Sequence, residues 1–252
     1  MKRVVVFLLV LASLALGSCR RATVMPEFDV IVLDTVITDN DYACTFQFTF
    51  TSIANADKSP ALQAIQEANQ LYFFEREDVQ GDVQQMMEYS IAQFMCHNQI
   101  LDENYDLEDL GTPNWRSEME LIIESDARIV DSLLVYSISR SSYTGGAHGM
   151  YTLSWHNYSI AGGYELALSD LFTPEQQESL LTLIKHKLYE QFEATGDEDL
   201  AAQGLFPEYI AATENFEVSE DGITFYYNPY DIAAYALGRI EVHISGEELK
   251  NL

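Results

Sequence analysis

YACTFQFTFTSI, residues 42–53, decides the fold class. Tyr42, Cys44, Phe46, Phe48 and Phe50 alternate with Ala43, Thr45, Gln47, Thr49 and Thr51. Successive side chains of an extended chain point to opposite faces, so this period of two predicts a strand with a buried aromatic face and a polar, threonine-rich one. The β-rich run FDVIVLDTVI (28–37) precedes it, and the turn Asp39-Asn40-Asp41 between them predicts a hairpin. Cys44 shares the aromatic face, which favours burial over reactivity; with Cys96 it leaves a disulfide and two buried thiols both open.

The period changes after the hairpin. Ser59-Pro60 supplies an N-cap and an N1 proline for a helix bearing Leu62, Ile65, Ala68 and Leu71-Tyr72. After Gly81, apolar residues recur at Val83, Met87, Ile91, Phe94 and Leu101, close to helical spacing, with Met86, Met87 and Met95 as core fillers and His97 on the same helix. Gly111-Thr112-Pro113 is a break. Met119, Leu121 and Ile123 then alternate with glutamates, and a further strand is expected over about 128–139. YTGGAHG (143–149) reads as a turn, YTLSWHNYSI (151–160) as a strand, and Gly162-Gly163 as another turn. Thr173-Pro174-Glu175-Gln176 opens a helix with a capping box, and its apolar stripe is Leu180, Ile184, Leu188 and Phe192. Short strands are expected around 215–219, 223–227 and 239–244. Strand runs interrupted by helices in each half predict an α+β fold with mostly antiparallel sheets and packed helices, divided into two α+β subdomains at 27–140 and 141–252.

The N-terminus gives a location. Lys2 and Arg3 precede an uncharged run of 13 residues, Val4 to Leu16. A helix of that length rises about 20 Å, short of the roughly 30 Å hydrocarbon core, so residues 1–18 read as a signal peptide. Leu16-Gly17-Ser18-Cys19 resembles a bacterial lipobox, which implies cleavage before Cys19 and its acylation, with residues 19–26 as a tether. Two or more acyl chains hold a protein on a membrane surface, so the expected location is the cell envelope, as a periplasmic or outer-membrane lipoprotein.

The full chain carries 13 Lys+Arg and 40 Asp+Glu, a net charge of −27; loss of residues 1–18 removes Lys2 and Arg3 and leaves 11 − 40 = −29. Such a field repels polyphosphates and disfavours nucleic acid, while a cationic protein is an electrostatically natural partner. With 48% hydrophobic and 12% aromatic residues, the chain can bury a proper core.

Three stretches in the second half resemble one known pattern: GGAHGMYT (145–152), LSDLF (168–172) and GITFYYNPYDIAAYALGRIEVHIS (222–245). In this order and spacing they are similar to the bacterial domain-of-unknown-function family 3298 (DUF3298). The first half resembles the companion PdaC/RsiV-like domain (DUF4163). The resemblance implies an α+β envelope module that binds something, since related regions occur in the lysozyme-binding sensor part of RsiV-type anti-sigma factors and in the non-catalytic part of some peptidoglycan deacetylases. No catalytic residues follow from it.

The residues themselves offer one candidate binding patch. The glycines of the 145–149 loop permit a tight turn, with His148 capping backbone groups or touching a ligand, and Tyr143 and Tyr151 beside it. Tyr230, after the Asn228-Pro229 turn, is the fourth tentative ligand-binding residue; it and Tyr235 are also read as packing on the sheet. No G-x-S-x-G, H-E-x-x-H or S-x-x-K occurs, so no catalytic residue is assigned. No metal or cofactor is expected. His148 and His156 lie about 26 Å apart on an extended chain, and His186 and His243 face solvent. The acidic run 102–113 places Leu107 and Pro113 where a calcium loop needs glycine and glutamate. The expectation is therefore a lipid-anchored envelope protein that binds a cell-wall glycan or a cationic protein such as a lysozyme-like hydrolase. The alternative is an envelope hydrolase acting on glycans, which needs His148 to meet a carboxylate such as Asp170.

Overall fold

The computed structural model describes residues 23–38, 42–79, 81–103 and 117–252. The stretch read as a signal peptide, Cys19, residues 39–41 where a turn is expected, and the acidic run beyond Glu103 with the break expected at 111–113 lie outside the described residues.

Strands β1 (Phe28–Thr38) and β2 (Tyr42–Ile53) form the expected antiparallel hairpin, in unbroken register from Phe28 opposite Ile53 to Thr38 opposite Ala43. With β3 (Ser117–Val130), β4 (Leu133–Tyr143), β5 (Met150–Ser159) and β6 (Tyr164–Glu165) they make a six-stranded sheet in chain order. Only the β2–β3 pair of this sheet is parallel. Parallel neighbours need a long crossover, and here helices α1 (Pro60–Phe74) and α2 (Val83–Glu103) supply it.

The crossover helices cover the aromatic face of β2. Cys44, Phe46, Phe48 and Phe50 are fully buried there, against Leu62, Ile65 and Phe73 of α1 and Met86 and Met87 of α2. Phe50 meets Phe73 edge-on at 5.0 Å between centroids, and Phe46 meets Phe94 the same way at 5.5 Å. Cys44 is a buried free thiol and Cys96 an exposed one. Pro60 opens α1 as expected, although the Ser59 side chain makes no capping bond. Glu75 ends α1 in the left-handed region (φ 50°), and the Arg76 amide then reaches back to the Leu71 carbonyl at 2.9 Å.

Two expected boundaries move. The strand expected over 128–139 is a hairpin, because Asp131 adopts φ 53° and turns the chain between Val130 and Leu133. The division at 140/141 falls inside β4: β5 continues the same sheet, and Tyr158 and Ile160 belong to the first core. A second core begins at Leu168.

That second unit holds α3 (Leu168–Leu171), α4 (Pro174–Gln191), α5 (Asp197–Ala202) and an antiparallel sheet of β7 (Phe216–Val218), β8 (Gly222–Tyr227) and β9 (Ile240–Ser245), followed by α6 (Gly246–Leu249). The expected capping box starts α4: Gln176 N donates to Thr173 Oγ1 (3.3 Å) and Thr173 N to Gln176 Oε1 (3.0 Å). Leu180, Ile184 and Leu188 pack with Phe216, Phe225, Val242 and Ile244.

Asparagines join the two units. β6 pairs with β5 only at Tyr158 and Ser159, which leaves the rest of that strand edge open. Side-chain amides occupy it as another strand would. Asn215 accepts from Trp155 N (2.9 Å) and donates to Leu153 O (2.8 Å), while Asn228 accepts from Leu153 N (2.8 Å). In the other direction, buried Asn157 donates to Phe216 O (2.6 Å) and accepts from Val218 N (3.0 Å). A primary amide presents one donor and one acceptor side as a peptide group does, so it can satisfy a strand edge. Arg128 reinforces the junction by pairing with Glu217 and lying over the Trp155 ring at 5.0 Å.

Candidate functional site

The junction ends in a group of stacked rings. The β4–β5 loop (144–149) carries His148, Tyr151 is the second residue of β5, and the β8–β9 connection carries Tyr230 and Tyr235. Tyr235 is the hub: its ring lies 3.9 Å from His148, nearly parallel at 19°, 5.7 Å from Tyr230, and 6.0 Å from Tyr151 in an edge contact. Its hydroxyl donates to Gly149 O at 2.7 Å, which ties the two loops together.

Local chemistry explains the arrangement. Gly145 and Gly146 take φ of 95° and 94°, open only to glycine at low cost. A Cβ on Gly149 would lie 2.6 Å from the Ser142 carbonyl, so the loop closes against β4 only because that atom is missing. His148 Nδ1 donates to Gly149 O (2.9 Å); a carbonyl only accepts, which puts the neutral ring's proton on Nδ1 and leaves Nε2 as an acceptor. Tyr230 is a non-glycine residue at φ 75°, held by the hydrogen bond its backbone N–H donates to Ala233 O (3.1 Å), with 52% of its surface exposed. A bulky side chain in this region is strained, and such residues concentrate at binding sites.

Three of the four residues singled out from sequence, His148, Tyr151 and Tyr230, therefore meet around Tyr235. Tyr143 does not join them. Its hydroxyl donates to Gly146 O (3.1 Å), and its ring lines a separate hollow of about 340 Å³ with Thr45, Glu118 and Glu120. Reading Tyr230 as packed on the sheet is overturned by its exposure, whereas Tyr226 and Tyr227, four and three positions earlier, are buried. Tyr235 was legible only as a core aromatic, since nothing local to it signals the loop it contacts.

The site offers stacked ring faces edged by a hydroxyl, an imidazole nitrogen and backbone carbonyls. It has no nucleophile paired with a base. Asp170, the carboxylate expected opposite His148, instead accepts from Ala167 N at 2.9 Å and caps α3.

His156, unpaired by sequence reasoning, has a partner. Its Nδ1 meets Glu165 Oε1 at 2.7 Å, Tyr72 OH donates to Glu165 Oε2 at 2.7 Å, and the Tyr72 and His156 rings stack at 4.1 Å. Burial, then the hydrogen bond to Glu165 and that group's charge, push the Tyr72 phenol up to about 12. The cluster staples α1 to strands β5 and β6. His186 and His243 are exposed, as their flanking patterns predict.

Comparison with known proteins agrees with this division of the chain. Residues 169–247 match the family model described as protein of unknown function DUF3298, which covers most of the second core and leaves the 145–152 stretch outside the matched span. A solved DUF3298 family member from Bacteroides fragilis superposes with a TM-score of 0.77 at 26% identity, over 91% of this chain and 94% of that one. A DUF3298 family protein from Pseudomonas aeruginosa shares the fold with a TM-score of 0.60 at 19% identity, over 90% of this chain and 94% of that one. Among curated proteins, the chain is 24% identical over 187 residues to the peptidoglycan-N-acetylmuramic acid deacetylase PdaC of Bacillus subtilis (strain 168); the match covers 71% of this chain and 37% of that protein. Stacked rings and amide-stitched sheets thus sit in a chain whose residues 169–247 match the DUF3298 family model, within an α+β fold shared with a solved structure of a member of that family.

Proposed function

We propose that this chain is a lipid-anchored protein of the bacterial cell envelope that binds cell-wall glycan through the His148–Tyr235–Tyr230 ladder. The observation that carries the reading is Tyr230, exposed and kept at a strained φ beside two further stacked rings. Exposed ring faces with polar edges suit the alternating apolar and hydroxylated faces of sugar rings. The lipobox-like Leu16-Gly17-Ser18-Cys19 and the likeness to a protein named for a peptidoglycan deacetylase support the location and the ligand class. Co-sedimentation with purified peptidoglycan sacculi tests it. The full chain is expected to pellet with them, and the paired variant Tyr230→Ala/Tyr235→Ala to stay in the supernatant. Equal retention of both proteins refutes the reading.

The net charge of −27 favours a second ligand, a cationic lysozyme-like hydrolase. Retention on immobilised lysozyme at low salt, lost with rising salt, is the expected outcome; no retention at any salt removes this version.

A further inference from the structure

A cleft of about 680 Å³ opens between the end of α1, one face of α2 and the ends of β3 and β4. Its apolar part is Phe74, Phe94 and Leu121, with Tyr89 beside them, 46% exposed. Ser90, Gln93, His97 and Ser142 bring hydroxyl, amide and imidazole groups to the same space. Tyr89, Gln93 and His97 follow at intervals of four along α2, so one helix face presents all three.

Charge decides what such a cleft takes. Its two arginines are already engaged: Arg140 donates to Phe73 O (2.7 Å) and pairs with Glu75 (3.2 Å), while Arg76 pairs with Asp78 (3.3 Å) and lies over the Tyr89 ring at 4.4 Å. Glu77 adds a further negative charge to the lining. Three carboxylates, Glu75, Glu77 and Asp78, outnumber the two arginines, so an anionic ligand meets a net negative lining, and a purely apolar one leaves the amide and hydroxyl groups unpaired. An uncharged, polyhydroxylated ring satisfies both, with its C–H face on the aromatics and its hydroxyl or acetamido groups on Gln93 and Ser90.

The cleft and the ladder use opposite faces of the sheet. Ser142, in the cleft lining, pairs with Leu121 and Met150 on the helix-covered face, and Tyr151, the next residue of β5, turns to the other face. We infer that the cleft is a second saccharide site, selective for uncharged N-acetylhexosamine units. This deepens the glycan reading above and rests on it.

Calorimetric titration of the full chain with the disaccharide and hexasaccharide of β-1,4-linked N-acetylglucosamine separates the two sites. The disaccharide is expected to bind the cleft. Tyr89→Ala and Gln93→Ala each weaken that binding about tenfold, the loss of one ring or amide contact. The hexasaccharide is expected to lose affinity for the cleft in both variants. Gln93 is exposed, so its variant folds normally and keeps the test clean if Tyr89→Ala is unstable. Absence of disaccharide binding, or equal binding by wild type and Gln93→Ala, overturns the cleft inference. Intact disaccharide behaviour with sacculus binding indifferent to Tyr230→Ala/Tyr235→Ala overturns the ladder alone.

Discussion

Asn157→Ala tests the account of how the two units are joined. Asn157 is 1% exposed, and its amide satisfies Phe216 O at 2.6 Å and Val218 N at 3.0 Å on the edge of β7. Alanine leaves both backbone groups without a partner, in a place where Phe216 is 1% exposed and Val218 half-buried. A buried group stranded in this way costs about 1–3 kcal/mol, and water recovers part of that at Val218, so a total of about 3 kcal/mol is expected. For a chain of this size each kcal/mol moves Tm by about 2–4 °C, which gives a fall of about 6–12 °C. Asn157→Asp retains the shape and the acceptor for Val218 N but sets a second oxygen against the Phe216 carbonyl, so at neutral pH it loses at least as much. Differential scanning calorimetry of the three proteins reads this directly. A fall below about 2 °C in both variants refutes the claim that side-chain amides hold the sheets together.

Gly149→Ala places a Cβ 2.6 Å from the Ser142 carbonyl, so the β4–β5 loop must shift away from β4; we expect a stability loss of about 1–3 kcal/mol in urea unfolding together with weakened sacculus binding. Glu248 is held down to about 2 by Lys187 and by the Ser245 backbone and hydroxyl, so its contribution is present above pH 4.5 and fades as pH falls toward 2. The Tm difference between wild type and Glu248→Gln should therefore shrink across that window, and a pH-independent difference contradicts the pairing. For Tyr72 the sign is opposite: its phenol, pushed up to about 12, contributes stability that is complete below pH 10 and lost as pH rises through 12. Ultraviolet titration of Tyr72→Phe against wild type should show that the missing phenol is one that ionises late; loss of a tyrosine titrating near pH 10 sinks this assignment.

The first hairpin was legible in residues 42–53 because an aromatic every second position admits one register with a buried face. The capping box at Thr173 was legible for a similarly local reason, since donor and acceptor lie three residues apart. Joints between units were not. Asn157, Asn215 and Asn228 look like ordinary polar residues until the edge of β5 is seen to need donors and acceptors. The same distance in sequence hid the ladder: Tyr235 reaches Gly149 across 86 positions, a contact no local period announces. Histidine parity along one strand missed His156, whose carboxylate partner Glu165 arrives only after the Gly162-Gly163 turn. Asp131 misled the reading of 128–139 because a left-handed non-glycine residue leaves no mark on an alternating pattern.

The central claim is that the ladder is where cell-wall glycan binds, and hydrogen exchange mapped by mass spectrometry on the full chain with soluble peptidoglycan fragments tests it most directly. Amides of the 144–151 and 229–237 segments are expected to exchange more slowly when the fragments are present, and to lose that protection in Tyr230→Ala/Tyr235→Ala. Binding that protects neither segment, or that the paired variant leaves intact, contradicts the claim.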